Sequence, residues 1–160
     1  MKPSVYLETT IISYLAARPS RDSIISGHQV ATHLWWESYR ERYALFCSTL
    51  VIEEGEAGDL DAATRRLSYL KNVPKLAVTD TAKGLAQIMI DVAVVPQGYP
   101  QDALHIAICA VHNIDFLLTW NCRHLANAMT RKRIENIVQA QGYCCPVICT
   151  PEELMEDENV

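Results

Sequence analysis

Short apolar runs alternate with longer amphipathic stretches along this chain, and that alternation limits its possible folds more than any other feature. Val5, Tyr6 and Leu7 form the first run, and residues 44–47, 75–78, 115–119 and 146–149 form the others. Each is short enough for a buried strand and is bounded by polar or turn-forming residues. The stretches between them carry helical spacing. Ile11, Ile12 and Leu15 begin a first helix, and residues 23–43 form a long second one. Ser48 is a good N-cap for a helix bearing Glu53 and Glu54. Gly55 and Gly58 weaken that helix, and Asp59 restarts another through Leu70. Thr79 or Asp80 caps a helix through Asp91, residues 102–111 form the next, and residues 129–141 the last, closed by Gly142. Strands alternating with helices predict an α/β fold with a parallel sheet covered on both faces.

The chain has 160 residues, enough for one domain with a real core. Residues 1–150 read as that domain and residues 151–160 as an acidic C-terminal tail. The net charge of −5 resides in the tail, which holds Glu152, Glu153, Glu156, Asp157 and Glu158; the remaining 14 acids match the 14 Lys and Arg. A neutral body gives no bulk support to nucleic-acid binding, although a local basic patch suffices for it. No apolar run spans a bilayer, and Glu8 comes too early for a signal-peptide core, so the expected location is the cytoplasm. Six cysteines without a CxxC pair suit reduced, buried thiols. Cys122, His124 and the C-terminal cysteines match no common zinc spacing.

Sites in open parallel sheets form beyond the carboxyl ends of the strands. Glu8 directly follows the first strand, and Asn121 lies two residues beyond Thr119, where the fourth strand ends. Glu54 and Asp102 are placed early in helices, so each leans toward the same edge; Glu53 is the alternative to Glu54. Three carboxylates gathered in this way repel, by about 4 kcal/mol per pair near 4 Å at an effective dielectric of about 20. Hard divalent cations offset that repulsion, take oxygen ligands and accept phosphate oxygens as further ligands. His105 lies one turn after Asp102 and reads as a packing histidine. Of Trp35 and Trp36, one is expected in the core and the other half-exposed. Arg18 and Arg21 lie in the loop after the first helix, and Arg123, Arg131, Lys132 and Arg133 follow the last site residue; Arg18 and Arg123 are the weak candidates for substrate phosphates, with Thr119 as a strand-end hydroxyl beside them. No GxGxxG or GxxxxGK[ST] run is present to cradle a nucleotide.

At these residues the sequence resembles the PIN domain family, and within it the VapC-type toxins of type II toxin–antitoxin systems. The resemblance rests on Val5 to Thr10 with Glu8 after the strand, on the Ser48-initiated helix with Glu54, on Asp102-Ala103-Leu104-His105-Ile106-Ala107, and on Leu117 to Asn121. It extends from about Lys2 to Ile148. It implies a three-layer α/β/α sandwich with a mainly parallel sheet of about five strands, and a hydrolase: an endoribonuclease dependent on Mg2+ or Mn2+. Glu8, Glu54 and Asp102 would be the metal ligands and Asn121 a fourth catalytic residue. It also implies an RNA substrate, an antitoxin partner and a homodimer. Two departures stand out: Glu8 replaces the family's first aspartate, and Asn121 replaces its fourth acid. An amide keeps an acceptor oxygen but no charge, which bears on a second metal. The alternative is a non-catalytic PIN-like module that binds RNA or protein.

Overall fold

The computed structural model describes residues 1–156 and forms a three-layer α/β/α sandwich around a five-stranded parallel sheet. The strands are β1 (Ser4–Leu7), β2 (Ala44–Ser48), β3 (Lys75–Leu76), β4 (Phe116–Leu118) and β5 (Val147–Cys149), in the order β3-β2-β1-β4-β5. Helices α1 (Thr9–Ala16), α2 (Ser23–Ser38), α3 (Thr49–Glu56) and α4 (Leu60–Ser68) connect β1 to β3. Helices α5 (Asp80–Asp91), α6 (Pro100–Val111) and α7 (Ala128–Ala140) serve the return to β4 and β5. Right-handed crossovers put the two sets on opposite faces, because the chain travels in opposite directions across the sheet. Val5, Tyr6, Leu7, Leu117 and Leu118 are wholly buried, as strands covered on both faces must be.

Several boundaries differ from expectation for identifiable reasons. Helix α2 stops at Ser38, and residues Arg40–Arg42 form a 3-10 turn in place of its last turn. The Arg40 guanidinium donates back to the Trp36 carbonyl at 2.9 Å, satisfying a helix-end acceptor. Strand β3 has two residues, because the Ala77 carbonyl accepts from the His112 ring at 2.9 Å and Thr79 already caps α5. Helix α6 begins at Pro100, in the first turn, where a missing N–H costs nothing. Gly58 and Gly142 both have φ of +85°, ending α3 and α7 as their positions suggest. Gly55 is more than a weak point in α3: a Cβ there would meet Leu67 Cδ2 at 3.1 Å and Ile12 Cδ1 at 3.3 Å, so its absence lets three helices close up. Trp35 is fully buried and Trp36 half-buried, as the pair suggested.

The C-terminal segment packs against this body. Pro151–Leu154 forms a 3-10 turn whose Pro151 and Leu154 are buried, and Glu153 receives both guanidinium ends of Arg131 at 2.9 and 3.0 Å. The rest of the expected acidic tail, residues 157–160, lies outside the described residues. All six cysteines are free thiols, and burial pushes Cys145 and Cys149 up to about 12, which keeps them protonated and inert. Among the described residues, no helix is long and apolar enough to cross a membrane.

Candidate active site

The strand order reverses between β1 and β4, so the crevice beyond their carboxyl ends is the topological switch point of the sheet. Glu8 stands there. Its backbone N–H donates to the Leu118 carbonyl at 3.1 Å, and its side chain caps α1. One carboxylate oxygen, Oε2, accepts from the Thr10 N–H at 3.0 Å, the Thr10 hydroxyl at 2.5 Å and the Thr119 hydroxyl at 2.8 Å. Each hydroxyl is itself aimed: Thr10 Oγ1 accepts from Trp120 N–H at 2.8 Å, and Thr119 Oγ1 from Asn121 N–H at 3.0 Å. Glu8 is only 5% exposed, yet among the described residues its Oε1 makes no hydrogen bond. Glu8 Oε1 is not among the buried polar atoms that lack a partner, so this oxygen is open to solvent, where a cation or donor can reach it.

Glu54 does not lie early in its helix, as its spacing from Ser48 suggested. It sits in the last turn of the eight-residue α3, where the helix dipole disfavours an acid. Two donors compensate. Thr9 Oγ1 donates to Glu54 Oε1 at 2.8 Å, and His105 Nε2 donates to the same oxygen at 2.6 Å. Burial alone would raise the Glu54 carboxyl, but the His105 hydrogen bond and charge, with Thr9, outweigh it and hold it below the usual range. Burial would likewise lower His105, but its bond to Glu54 and the charges of Glu8, Glu54 and Asp102 raise it above the ordinary imidazole value. His105 is therefore more than a packing residue: it is a buried imidazole bonded to Glu54 whose charged form is favoured by all three acids. Glu53, the alternative second acid, is exposed.

Asp102 lies in the first turn of α6, as expected, and its Oδ2 pairs with His124 Nδ1 at 2.7 Å. The His124 ring also packs against Tyr99, with centroids 4.2 Å apart. Asn121 Oδ1 accepts from the His124 N–H at 3.1 Å, so its one acceptor oxygen shapes the turn after β4. Thr119 holds Glu8. Arg18 and Arg123 are exposed, and among the described residues neither has an ion-pair partner. Arg131 and Lys132 are committed to Glu153 and Glu135. His124 is engaged by Asp102 through Nδ1, and Cys122 is exposed.

Among the described residues, no three His, Cys, Asp or Glu side chains form a group that could hold a metal ion by themselves. The acids lie within electrostatic reach of one imidazole without closing into a cage. Each nevertheless leaves one oxygen without a hydrogen bond among the described residues: Glu8 Oε1, Glu54 Oε2 and Asp102 Oδ1. Hard oxygen donors of this kind fit Mg2+ or Mn2+, and Mg2+ is commonly held by one or two carboxylates, several waters and substrate phosphates. Sequence reasoning missed Tyr6, Ser48, Thr9, Thr10 and His124 as parts of this site. Tyr6 carried the one readable signal: a hydroxyl on a central strand must find a buried partner.

The Glu54–His105 pair makes stability depend on pH. The His105 contribution is complete below the ordinary imidazole value of about 6.5 and is lost as pH rises through its raised value. The Glu54 contribution is complete above about 4.3 and is lost as pH falls through its lowered value. In divalent-free buffer, urea unfolding should therefore separate parent from His105→Gln more widely at about pH 5.5 than at about pH 9. An equal separation at both would exclude a charged pair.

No protein-family model matches this sequence, and no curated protein does. Among solved structures, the fold is similar to a chain in the Rickettsia felis VapBC2 structure bound to a DNA fragment from their promoter. The TM-score is 0.59 at 15% identity, over 92% of this chain and 98% of that one. It is also similar to Mycobacterium tuberculosis VapC20, a toxin that cleaves the sarcin–ricin loop, with a TM-score of 0.57 at 14% identity over 89% and 99% of the two chains. At such identities the likeness is one of fold.

Proposed function

We propose that this chain is a metal-dependent endoribonuclease of the PIN domain family, the toxin of a VapC-type toxin–antitoxin pair. The observation that carries this is Glu8: a buried carboxylate at the switch point, with one oxygen held by Thr10 and Thr119 and the other without a hydrogen bond. The fold neighbours supply the motive for RNA as substrate and for an antitoxin as partner. Glu8, Glu54 and Asp102, each with one oxygen that makes no hydrogen bond among the described residues, are the residues that would hold Mg2+ or Mn2+. When bound, the ion supplies a nucleophile at neutral pH and stabilises charge developing on phosphate. Thr10 and Thr119 fix the Glu8 carboxylate, and His105 and Thr9 donate to Glu54. Asn121 shapes the turn that carries His124 to Asp102. Arg18 and Arg123 meet substrate phosphates along the backbone. The protein acts in the cytoplasm as a homodimer.

A specific observation favours the second reading, a PIN-like module that binds RNA or protein without cutting. The Asn121 oxygen is occupied by a backbone N–H, and one oxygen of Asp102 by His124. The two readings separate in one experiment. Purified protein should cleave single-stranded RNA with Mg2+ or Mn2+, stop on addition of EDTA, and resume on readdition of metal. Calorimetry should register Mn2+ uptake. Intact RNA together with no heat at millimolar Mn2+ would leave the binding module standing.

A further inference from the structure

Glu54 has three rotatable bonds and sits at the unfavourable end of a helix, so left alone it would sample many orientations. The structure restrains it through a hydrogen-bonded chain that begins and ends on the same helix. Ser48 caps the start of α3 by accepting from the Val51 N–H at 3.3 Å. Its hydroxyl lies 2.7 Å from the Tyr6 hydroxyl, which lies 2.7 Å from His105 Nδ1. His105 Nε2 then meets Glu54 Oε1, near the end of α3, at 2.6 Å. His105 Nε2 donates to Glu54, and Nδ1, the Tyr6 hydroxyl and the Ser48 hydroxyl continue the chain without a gap into the core. Every link except Glu54 is buried: Tyr6 and Ser48 are fully inaccessible, and His105 is 1% exposed.

Both ring nitrogens of His105 are engaged, so the imidazole can neither flip nor swing without breaking a buried bond. Thr9 and His105 come from α1 and α6, on opposite sides of the sheet, and converge on the same oxygen. That anchors Oε1 from two sides and leaves Oε2 as the oxygen with no partner among the described residues. We propose that His105, braced by Tyr6 and Ser48, is the positioning residue that aims Glu54 Oε2 at the divalent cation. The proposal rests on the nuclease reading above. It goes beyond charge compensation, because the Tyr6–Ser48 brace adds no charge and serves only to fix the ring.

The test is Mn2+ affinity measured by calorimetry on metal-free protein, with thermal melting to confirm folding. His105→Leu should weaken Mn2+ binding about 10- to 100-fold, the usual effect of losing a partner that orients a ligand. His105→Gln, which can still present an N–H to Glu54, should recover part of that loss. Tyr6→Phe keeps the ring of residue 6 and the His105 imidazole but removes the brace, and should weaken binding several-fold. If His105 acts only through Glu54, the double variant His105→Leu/Glu54→Gln should bind Mn2+ no more weakly than Glu54→Gln alone. A folded His105→Leu with parental affinity, or fully additive losses in the double variant, would overturn the proposal. Should His105→Leu fail to fold, parental affinity in a folded Tyr6→Phe overturns it instead. A parent that takes up no Mn2+ overturns the nuclease reading itself, and the positioning role with it.

Discussion

Glu8→Gln is expected to abolish metal-dependent RNA cleavage while leaving the protein folded. A glutamine can place its carbonyl oxygen where Oε2 now lies and keep the bonds from Thr10 and Thr119, so the N-cap of α1 survives. Its amide nitrogen then takes the place of Oε1, turning an oxygen ligand into a donor that cannot bind a cation. Both the charge and the ligand atom are lost at the most buried of the three acids. Transition-state stabilisation by a catalytic metal amounts to several kcal/mol, so the rate should fall on the order of a thousandfold or more. The melting temperature without metal should equal or exceed the parent's, because one member of a repelling group has been neutralised. Initial rates with Mg2+ and Mn2+, paired with melts in EDTA, check both halves. A folded Glu8→Gln that cuts at the parental rate would move the chemistry away from the β1–β4 crevice. Asp102→Asn should behave alike, since its carbonyl oxygen can retain the His124 contact.

The sheet was readable because a parallel strand buried on both faces must be an unbroken apolar run, and β1, β2, β4 and β5 each coincide with one. Element ends were less readable, because partners distant in sequence set them. Nothing near Ala77 announces that His112 will take its carbonyl and end β3 after two residues. The same distinction runs through the site. Glu8 and Asp102 could be placed from strand and helix boundaries alone, since Glu8 caps α1 and Asp102 lies in the first turn of α6. Glu54 was misplaced, because α3 has only eight residues and stops before Gly58, which leaves Glu54 in its last turn. The hydroxyl and imidazole partners were hidden by distance in sequence: Thr119 meets Glu8 across 111 positions, and His105 meets Glu54 across 51. Repulsion among the acids was foreseen with metal as its remedy. That the fold would place a buried histidine among them as well depends on which face of α6 turns inward, and only packing decides that.

Trp35→Ala is expected to have the largest effect on stability, and to reach the site as well. Trp35 is fully buried in α2 and stacks on Tyr43 with ring centroids 5.9 Å apart. Emptying such a position costs about 3–5 kcal/mol, a large share of the roughly 5–15 kcal/mol that a domain possesses. At this size each kcal/mol lowers Tm by about 2–4 °C, so the melting temperature should drop by roughly 6–20 °C. Trp35→Phe should be far milder: the Trp35 indole N–H is buried without a partner among the described residues, so phenylalanine removes an unmet donor along with part of the volume. The effect on the site follows from what else α2 carries. Thr32 Oγ1 accepts from the Trp120 indole N–H at 2.7 Å, and His28 stacks on the Trp120 ring at 4.0 Å. Trp120 in turn gives its backbone N–H to the Thr10 hydroxyl that holds Glu8. A loosened α2 therefore releases the wall behind the first acid, and Mn2+ affinity should fall in Trp35→Ala even at temperatures where the protein remains folded. Urea unfolding together with Mn2+ calorimetry at about 10 °C tests both consequences. A destabilisation below about 1 kcal/mol would contradict the packing argument, and parental affinity in the destabilised variant would break the link from α2 to Glu8.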